Sequence, residues 1–334
     1  MLQTPICDYF GIKYPIILAG MGGVAMHRLT AAVSNAGGLG VLGGAGLTPD
    51  QLRAEIRLTR ELTDKPFAVD LLAPIPDMMR PHMPVLIEEK IRIFVAGLAV
   101  PAEFIQTMHE HGMKIVVMCG KVHHGEKAQA AGADVVVAQG TEAGGHTGEI
   151  GMMSLVPQML RAVKLPVLAA GGIAIGAQIA AALMLGAQGV IVGTRFIATP
   201  EADANDVYRN SIIGSRDDST MRTRCYTGKP CRVSRTAYAL EWERDPSKIK
   251  PFPEQAMTSQ RNGVMTFREH DAAKADATRT FMPTGQGAGL IKDIKPAAQV
   301  FADLLRETEE ALRTAHNLLS GSSRPQHSEA APLR

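Results

Sequence analysis

Aromatic side chains make up only 4% of the 334 residues, with a single tryptophan, Trp242. The core must therefore be filled mostly by Ala, Val, Ile, Leu and Met. At 46% hydrophobic and 20% charged, the composition suits a large buried core and excludes a disordered chain. No apolar run reaches the ~18 residues of a membrane-spanning helix. The start, "MLQTPICDYFGIKYP", lacks a basic region followed by an apolar one, so no secretory signal is expected. Charge of one sign is missing too: 35 Lys and Arg face 33 Asp and Glu, for a net +2. Without a basic field, nucleic acid is not an expected partner. The four cysteines, Cys7, Cys119, Cys225 and Cys231, form no C-x-x-C pair, and no histidine lies near the last two. A structural zinc needs four clustered ligands, so no metal is expected, and a reduced cytoplasmic chain is the simple reading.

What the chain does have is glycine, 33 residues of it, punctuating short apolar runs. These runs fall at 15–21, 39–44, 66–72, 91–98, 114–120, 134–140, 166–172 and 189–194. Nearly continuous apolar character marks strands covered on both faces, since a half-exposed strand would alternate. Between them lie helical segments at 27–38, 48–62, 100–112, 121–133, 152–160 and 174–187. The segment 48–62 opens with Thr48 as N-cap and Pro49 at the first helical position. Only 73–90 is broken by prolines, and it reads as an extended loop with a short helix. Eight buried strands, each followed by a helix or loop at roughly 25-residue intervals, predict a (β/α)8 TIM barrel. An open doubly wound sheet is the rival, but "AGMGGVAMH" stands where it would carry G-x-G-x-x-G.

The rhythm stops after Thr199. Residues 205–284 are more charged and read as an inserted lid domain with its own helices, before a last helix at 295–319. That helix carries Ala298, Val300, Phe301, Leu304, Leu305 and Leu312 on one face. The barrel is then expected from 1–204 and 285–319, and the polar stretch 320–334 is expected to be disordered.

A barrel places its chemistry at the C-terminal ends of its strands, with a phosphate site after the seventh and eighth. Those ends read "AAGGIAIG" (169–176) and "GTRF" (193–196). Gly171, Gly172 and Gly193 let backbone N–H groups approach an anion, and Thr194 adds a hydroxyl. At the first strand's end, Met21 offers a polarizable surface between glycines. Asp70 and Gln139 are polar where a core position would be apolar, and a buried polar group needs a partner. The stretch "AQGTEAGGHTGEIG" (138–151) follows the sixth strand. Its His146, after Gly144 and Gly145, is suited to exchanging one proton at the barrel mouth. His109, His111, His123 and His124 fall in helical segments and are expected to face solvent. The basic segment 222–235 (Arg222, Arg224, Lys229, Arg232, Arg235) is either a solvated lid or a surface for a nucleotide or CoA phosphate. No G-x-S-x-G nucleophile is present.

"QGTEAGGHTG" (139–148), "AAGGIA" (169–174) and "GVIVGTRFIAT" (189–199) resemble the nitronate monooxygenase family, as do "GIKYPIILAGM" (11–21) and "GQGAGLI" (285–291). The likeness runs from about residue 5 to 316, and flavin-dependent enoyl-ACP reductases and NADH:quinone reductases share these motifs. The resemblance implies FMN as cofactor. Met21, Asp70, Gln139, Gly144 and Gly145 would border it, and Gly171, Gly172, Gly193 and Thr194 would hold its phosphate. His146 would be the active-site histidine beside the flavin. Three positions depart from relatives: Asp70 stands for the usual Asn, "TRTFMP" (278–283) lacks tyrosines, and "VMCGKVHHGEKA" (117–128) lacks a lysine before its cysteine. The implied reaction is oxidation of alkyl nitronates with O2. The alternatives are an NAD(P)H-dependent reductase of an enoyl thioester or quinone, a catalytically silent flavin-binding barrel, and a phosphate-binding isomerase without flavin. The last lacks a Lys or paired carboxylates at the strand ends.

Overall fold

The computed structural model describes residues 2–74 and 76–320. Eleven strands run in chain order as β1 (Ile16–Leu18), β2 (Gly40–Gly43), β3 (Phe67–Leu72), β4 (Ile93–Gly97), β5 (Lys114–Cys119), β6 (Val135–Gln139), β7 (Gly145–His146), β8 (Val167–Ala170), β9 (Val190–Val192), β10 (Thr220–Thr223) and β11 (Cys231–Ser234). All eight expected strands form, and they pair in parallel in the order β1-β9-β8-β6-β5-β4-β3-β2. A parallel bridge between Ile17 and Leu39 closes β1 on β2, making the sheet a barrel with helices outside it. The open doubly wound sheet is thereby excluded.

Two-residue periodicity explains the continuous apolar runs. Ile17, Val41, Ala68, Val95, Val116, Val137, Leu168 and Ile191 point inward and pack as one buried cluster. Their neighbours Ile16, Leu18, Leu42, Val69, Phe94, Val136 and Val190 point outward and pack under the helices. Each strand is therefore apolar on both faces. The inner cluster also takes Ile6, Cys7 and Phe10 from a helix at Pro5–Phe10, which the sequence pattern did not reveal.

Thr48 does cap its helix: its Oγ1 accepts from Gln51 N at 3.3 Å while Gln51 Oε1 accepts from Thr48 N at 2.9 Å, a reciprocal box. The proline-broken 73–90 segment is more helical than expected, with turns at Pro76–Met79, Arg80–His82 and Met83–Glu88. Pro76, Pro81 and Pro84 each fall in a first turn, where the missing N–H costs nothing. Conversely, the helix expected at 100–112 shrinks to Ile105–Glu110. The last helix, Ala297–Ser320, buries Ala297, Val300, Phe301 and Leu304, whereas Ala298 is exposed. The expected face therefore holds at Val300, Phe301 and Leu304, with Ala297 taking the place of Ala298. Residues 321–334 of the expected tail lie outside the described residues. Among the described residues no helix is long and apolar enough to cross a membrane.

Segment 206–284 carries helices at Asp206–Ile213, Ala237–Trp242 and Glu254–Arg261, and strands as well as the expected helices. β10 and β11 pair antiparallel, and β11 pairs antiparallel with β7, aligning Cys231 with His146 and Arg232 with Gly145. A loop of the barrel thereby becomes the third strand of a small sheet over the barrel mouth.

Candidate active site

One cavity of about 1520 Å3 opens at the C-terminal ends of the strands, and its wall includes every residue nominated from the sequence: His146, Met21, Asp70, Gln139, Gly144, Gly145, Gly171, Gly172, Gly193 and Thr194. Register does the placing. Asp70 lies two residues beyond inward-facing Ala68, Gln139 two beyond Val137, and Gly193 two beyond Ile191, so each continues the interior face upward into the mouth. Asp70 pairs in register with Gly43 on one side and Val95 on the other.

Glycine is required here by close approach. A Cβ on Gly20 would fall 2.2 Å from Asp70 Cβ, so the carboxyl occupies the space a side chain at 20 would need. Gly171 and Gly172 take φ of 110° and 72°, which L side chains rarely adopt, and turn the chain sharply out of β8. A Cβ on Gly145 would meet nothing within 4 Å.

His146 opens onto the cavity. Its Nε2 lies 2.9 Å from Thr227 Oγ1, and that hydroxyl in turn lies 3.3 Å from the Lys229 carbonyl. When Thr227 gives its proton to that carbonyl it accepts from Nε2–H, which leaves Nδ1 as an unprotonated acceptor. Burial, helped by the Lys229 charge, pushes the imidazole's pKa down to about 4. The ring is therefore neutral at pH 7.

Asp70 is the opposite case. Burial pushes its carboxyl up to about 8, so it keeps its proton at pH 7. A neutral carboxyl offers one O–H donor and one carbonyl acceptor, matching the acceptor and one of the two N–H donors of a carboxamide. The departure from asparagine at this position therefore does not remove the donor. Neither the Asp70 carboxyl nor the Gln139 carboxamide bonds to protein among the described residues, and both border the cavity. Two unpartnered polar groups beside bare glycine backbone fit a flat heteroaromatic ligand.

These two groups set opposite pH slopes on stability. Unfolded His146 takes a proton near 6.5 that the folded protein refuses until about 4, so stability is lost as pH falls through that window. Unfolded Asp70 ionises near 3.8 while the folded carboxyl holds its proton to about 8, so stability is lost as pH rises between them. Each slope is about 1.4 kcal/mol per pH unit. They cancel from about 4 to 6.5, and Asp70 alone acts from there to about 8. Cofactor-free protein should therefore lose roughly 2 kcal/mol between pH 6.5 and 8, and Asp70→Asn should abolish that loss. Equal melting shifts for both proteins over this range would contradict the assignment.

Several expectations are corrected. His124 sits in a helix, Val122–Ala130, yet lines the cavity, and burial lowers its pKa. His109, His111 and His123 are exposed, as expected, with His109 pairing with Asp134 at 3.0 Å and His111 bonding its own helix. Of the five basic residues in the segment 222–235, only Lys229 lines the cavity. Arg232 is buried, donating to the Thr141 carbonyl at 2.8 Å, and Arg222 lies 3.7 Å from Glu149. Glu142 caps the helix at Met152, both its oxygens accepting from the Met152 N–H at 3.0 Å. Sequence reasoning missed Thr227, Arg261 and Arg268, which border the same cavity. A polar residue in a charged surface segment carries no local signal of where it points.

The nitronate monooxygenase family model matches residues 3–307. An octahydroindene-carboxyl-CoA dehydrogenase of Mycobacterium tuberculosis is 39% identical, over 70% of this chain and 67% of that protein. Two solved structures superpose closely. FabK from Thermotoga maritima does so with a TM-score of 0.86 at 36% identity, covering 95% of this chain and 100% of that one. A nitroalkane oxidase from Streptomyces ansochromogenes gives 0.84 at 31% identity, covering 93% and 99%. The chain belongs to the nitronate monooxygenase family of oxidoreductases.

Proposed function

We propose that the chain is an FMN-dependent nitronate monooxygenase, oxidising alkyl nitronates with O2. The observation that carries this is a neutral imidazole, His146, at the mouth of a glycine-lined barrel with a cation beside it. A nitronate is an anion. The Lys229 field that lowers the His146 pKa is the same field that draws an anion inward. With Nε2 tied to Thr227, Nδ1 is free to accept a proton from, or a hydrogen bond to, the substrate.

Gly171, Gly172, Gly193 and Thr194 would hold the FMN phosphate, while Met21, Asp70, Gln139, Gly144 and Gly145 would border the ring. Thr194 Oγ1 already accepts from Gly285 N at 3.0 Å, so its proton is left to donate. Bound there, the flavin would supply the electron transfer between nitronate and O2. The segment 205–284 acts as the lid, since Thr227 and Lys229 reach the cavity from it.

A second reading, an NAD(P)H-dependent reductase of an enoyl thioester or quinone, is favoured by the CoA-linked relative and by the large cavity. Identifying the cofactor released by heating the purified protein tests the common part. FMN is expected, and FAD or no flavin would contradict it.

A further inference from the structure

Among the described residues Asp70 is the one fully buried acidic side chain on the cavity wall, 7% exposed, and no protein group bonds its carboxyl. Its backbone is fixed: the Asp70 carbonyl accepts from Gly44 N at 2.9 Å, and the residue pairs in register with β2 and β4. Glycine makes the room for the carboxyl. Its Oδ2 lies 2.8 Å from where a Cβ on Gly20 would stand, and its Oδ1 3.8 Å from where one on Gly97 would. A carboxyl so held and so left without a hydrogen bond is costly unless a ligand completes it.

The surroundings supply it with no charge. β1, β2 and β4 and their exit turns at 19–23, 44–46 and 97–98 carry no titratable side chain. Elsewhere on the wall stand the charges of Lys229, Arg261, Arg268 and Asp271 and the imidazoles of His124, His146 and His270. None of these acts on the Asp70 carboxyl, whose ionisation burial alone opposes. An amide of the same shape would serve a ligand that needs only a donor. What a carboxyl adds is the ability to bind and release a proton. A ligand that changes charge gives that ability a use, and a flavin ring gains negative charge when it takes up electrons. Like charges side by side in a dry site oppose each other's formation.

We propose that Asp70 couples the flavin's oxidation state to a proton: its carboxyl lies against the ring, holds the proton beside the reduced ring and releases it more readily beside the oxidised one. Above the pH at which the oxidised complex gives up this proton, two electrons entering the ring draw one proton from solvent onto an Asp70 oxygen. Reoxidation by O2 removes the two electrons and returns that proton to solvent. No bond of the ring is made or broken by it. Linkage makes the effect reciprocal, so the proton also raises the ring's affinity for electrons. His146 takes no part, because its imidazole is already neutral over that range. The inference rests on FMN lying in this cavity, as proposed above.

The midpoint potential of the FMN-loaded protein is measured from about pH 6 to about pH 9.5 in the parent and in Asp70→Asn. Above about pH 8 the parent's potential should fall more steeply than the variant's by about 30 mV per pH unit, a tenfold change in a two-electron equilibrium constant. Below that pH the two lines should run parallel. The visible bands of the oxidised flavin should shift over the same range in the parent and not in Asp70→Asn. Should the variant hold no flavin, the parent alone decides. Its reduced-minus-oxidised infrared difference spectrum at about pH 9 should gain the carbonyl stretch of a protonated carboxylic acid. Parallel potentials throughout in two FMN-loaded proteins, or a parent spectrum without that band, would overturn the proton coupling and leave the flavin site standing. A parent protein that takes up no FMN would overturn both.

Discussion

Replacing His146 with alanine should lower kcat/KM for an alkyl nitronate by roughly 10²–10⁴-fold, the range for loss of a positioned proton acceptor. Flavin content should stay close to that of the parent, because the ring borders the cavity from β7 and is not part of the glycine turns after β8 and β9. Thr227→Val, which removes the partner at 2.9 Å and leaves the ring in place, should cost less, about tenfold, and mainly in kcat. The argument rests on the hydrogen bond fixing which nitrogen faces substrate. A His146→Ala protein that keeps its turnover within threefold would remove the histidine from the chemistry.

Gly144→Ala should unfold the protein several degrees earlier and strip its flavin. A Cβ there would stand 2.7 Å from Gly285 N, 2.9 Å from the Thr284 carbonyl carbon and 3.1 Å from the Pro283 carbonyl oxygen. All three are backbone atoms, so no flexible side chain can yield. The same crossing is fastened by Gln286 N donating to the Glu142 carbonyl at 2.9 Å and Gly285 N to Thr194 Oγ1 at 3.0 Å. An added methyl must push the β6 exit loop away from the returning chain. Overpacking of this kind costs about 1–3 kcal/mol, which in a chain of this size shifts the melting midpoint by about 2–4 °C per kcal/mol. The strain falls on two walls of the cavity at once, so cofactor affinity should fall with stability. Unchanged melting and flavin content in Gly144→Ala would mean that the two segments are not pressed together as described.

The barrel was legible because parallel strands buried on both faces leave an unmistakable apolar run, and eight such runs at regular intervals have few other solutions. Asp70 and Gln139 were legible for a related reason: a polar residue at the end of an otherwise apolar strand has no core role. What escaped was non-local or locally silent. The pairing of Gly145–His146 with Cys231–Arg232 joins positions some eighty residues apart, and two residues carry no strand pattern. The helix at Pro5–Phe10 is short, and its burial under the barrel follows from closure, not from its own periodicity. Arg261 and Arg268 look like solvated surface until the fold turns them toward the same cavity as Lys229. His124 was misplaced because a helix with weak amphipathicity gives no hint of which side its histidine takes.

The direct test is anaerobic. Purified, flavin-loaded protein is mixed with a primary or secondary alkyl nitronate in the absence of O2, and separately with NADH, while the flavin absorbance bands are followed. Rapid bleaching by the nitronate, reversed on admitting O2 and much slower in His146→Ala, is the expected result. Bands unmoved by nitronate but bleached rapidly by NADH would contradict the account and move the enzyme to the reductase reading.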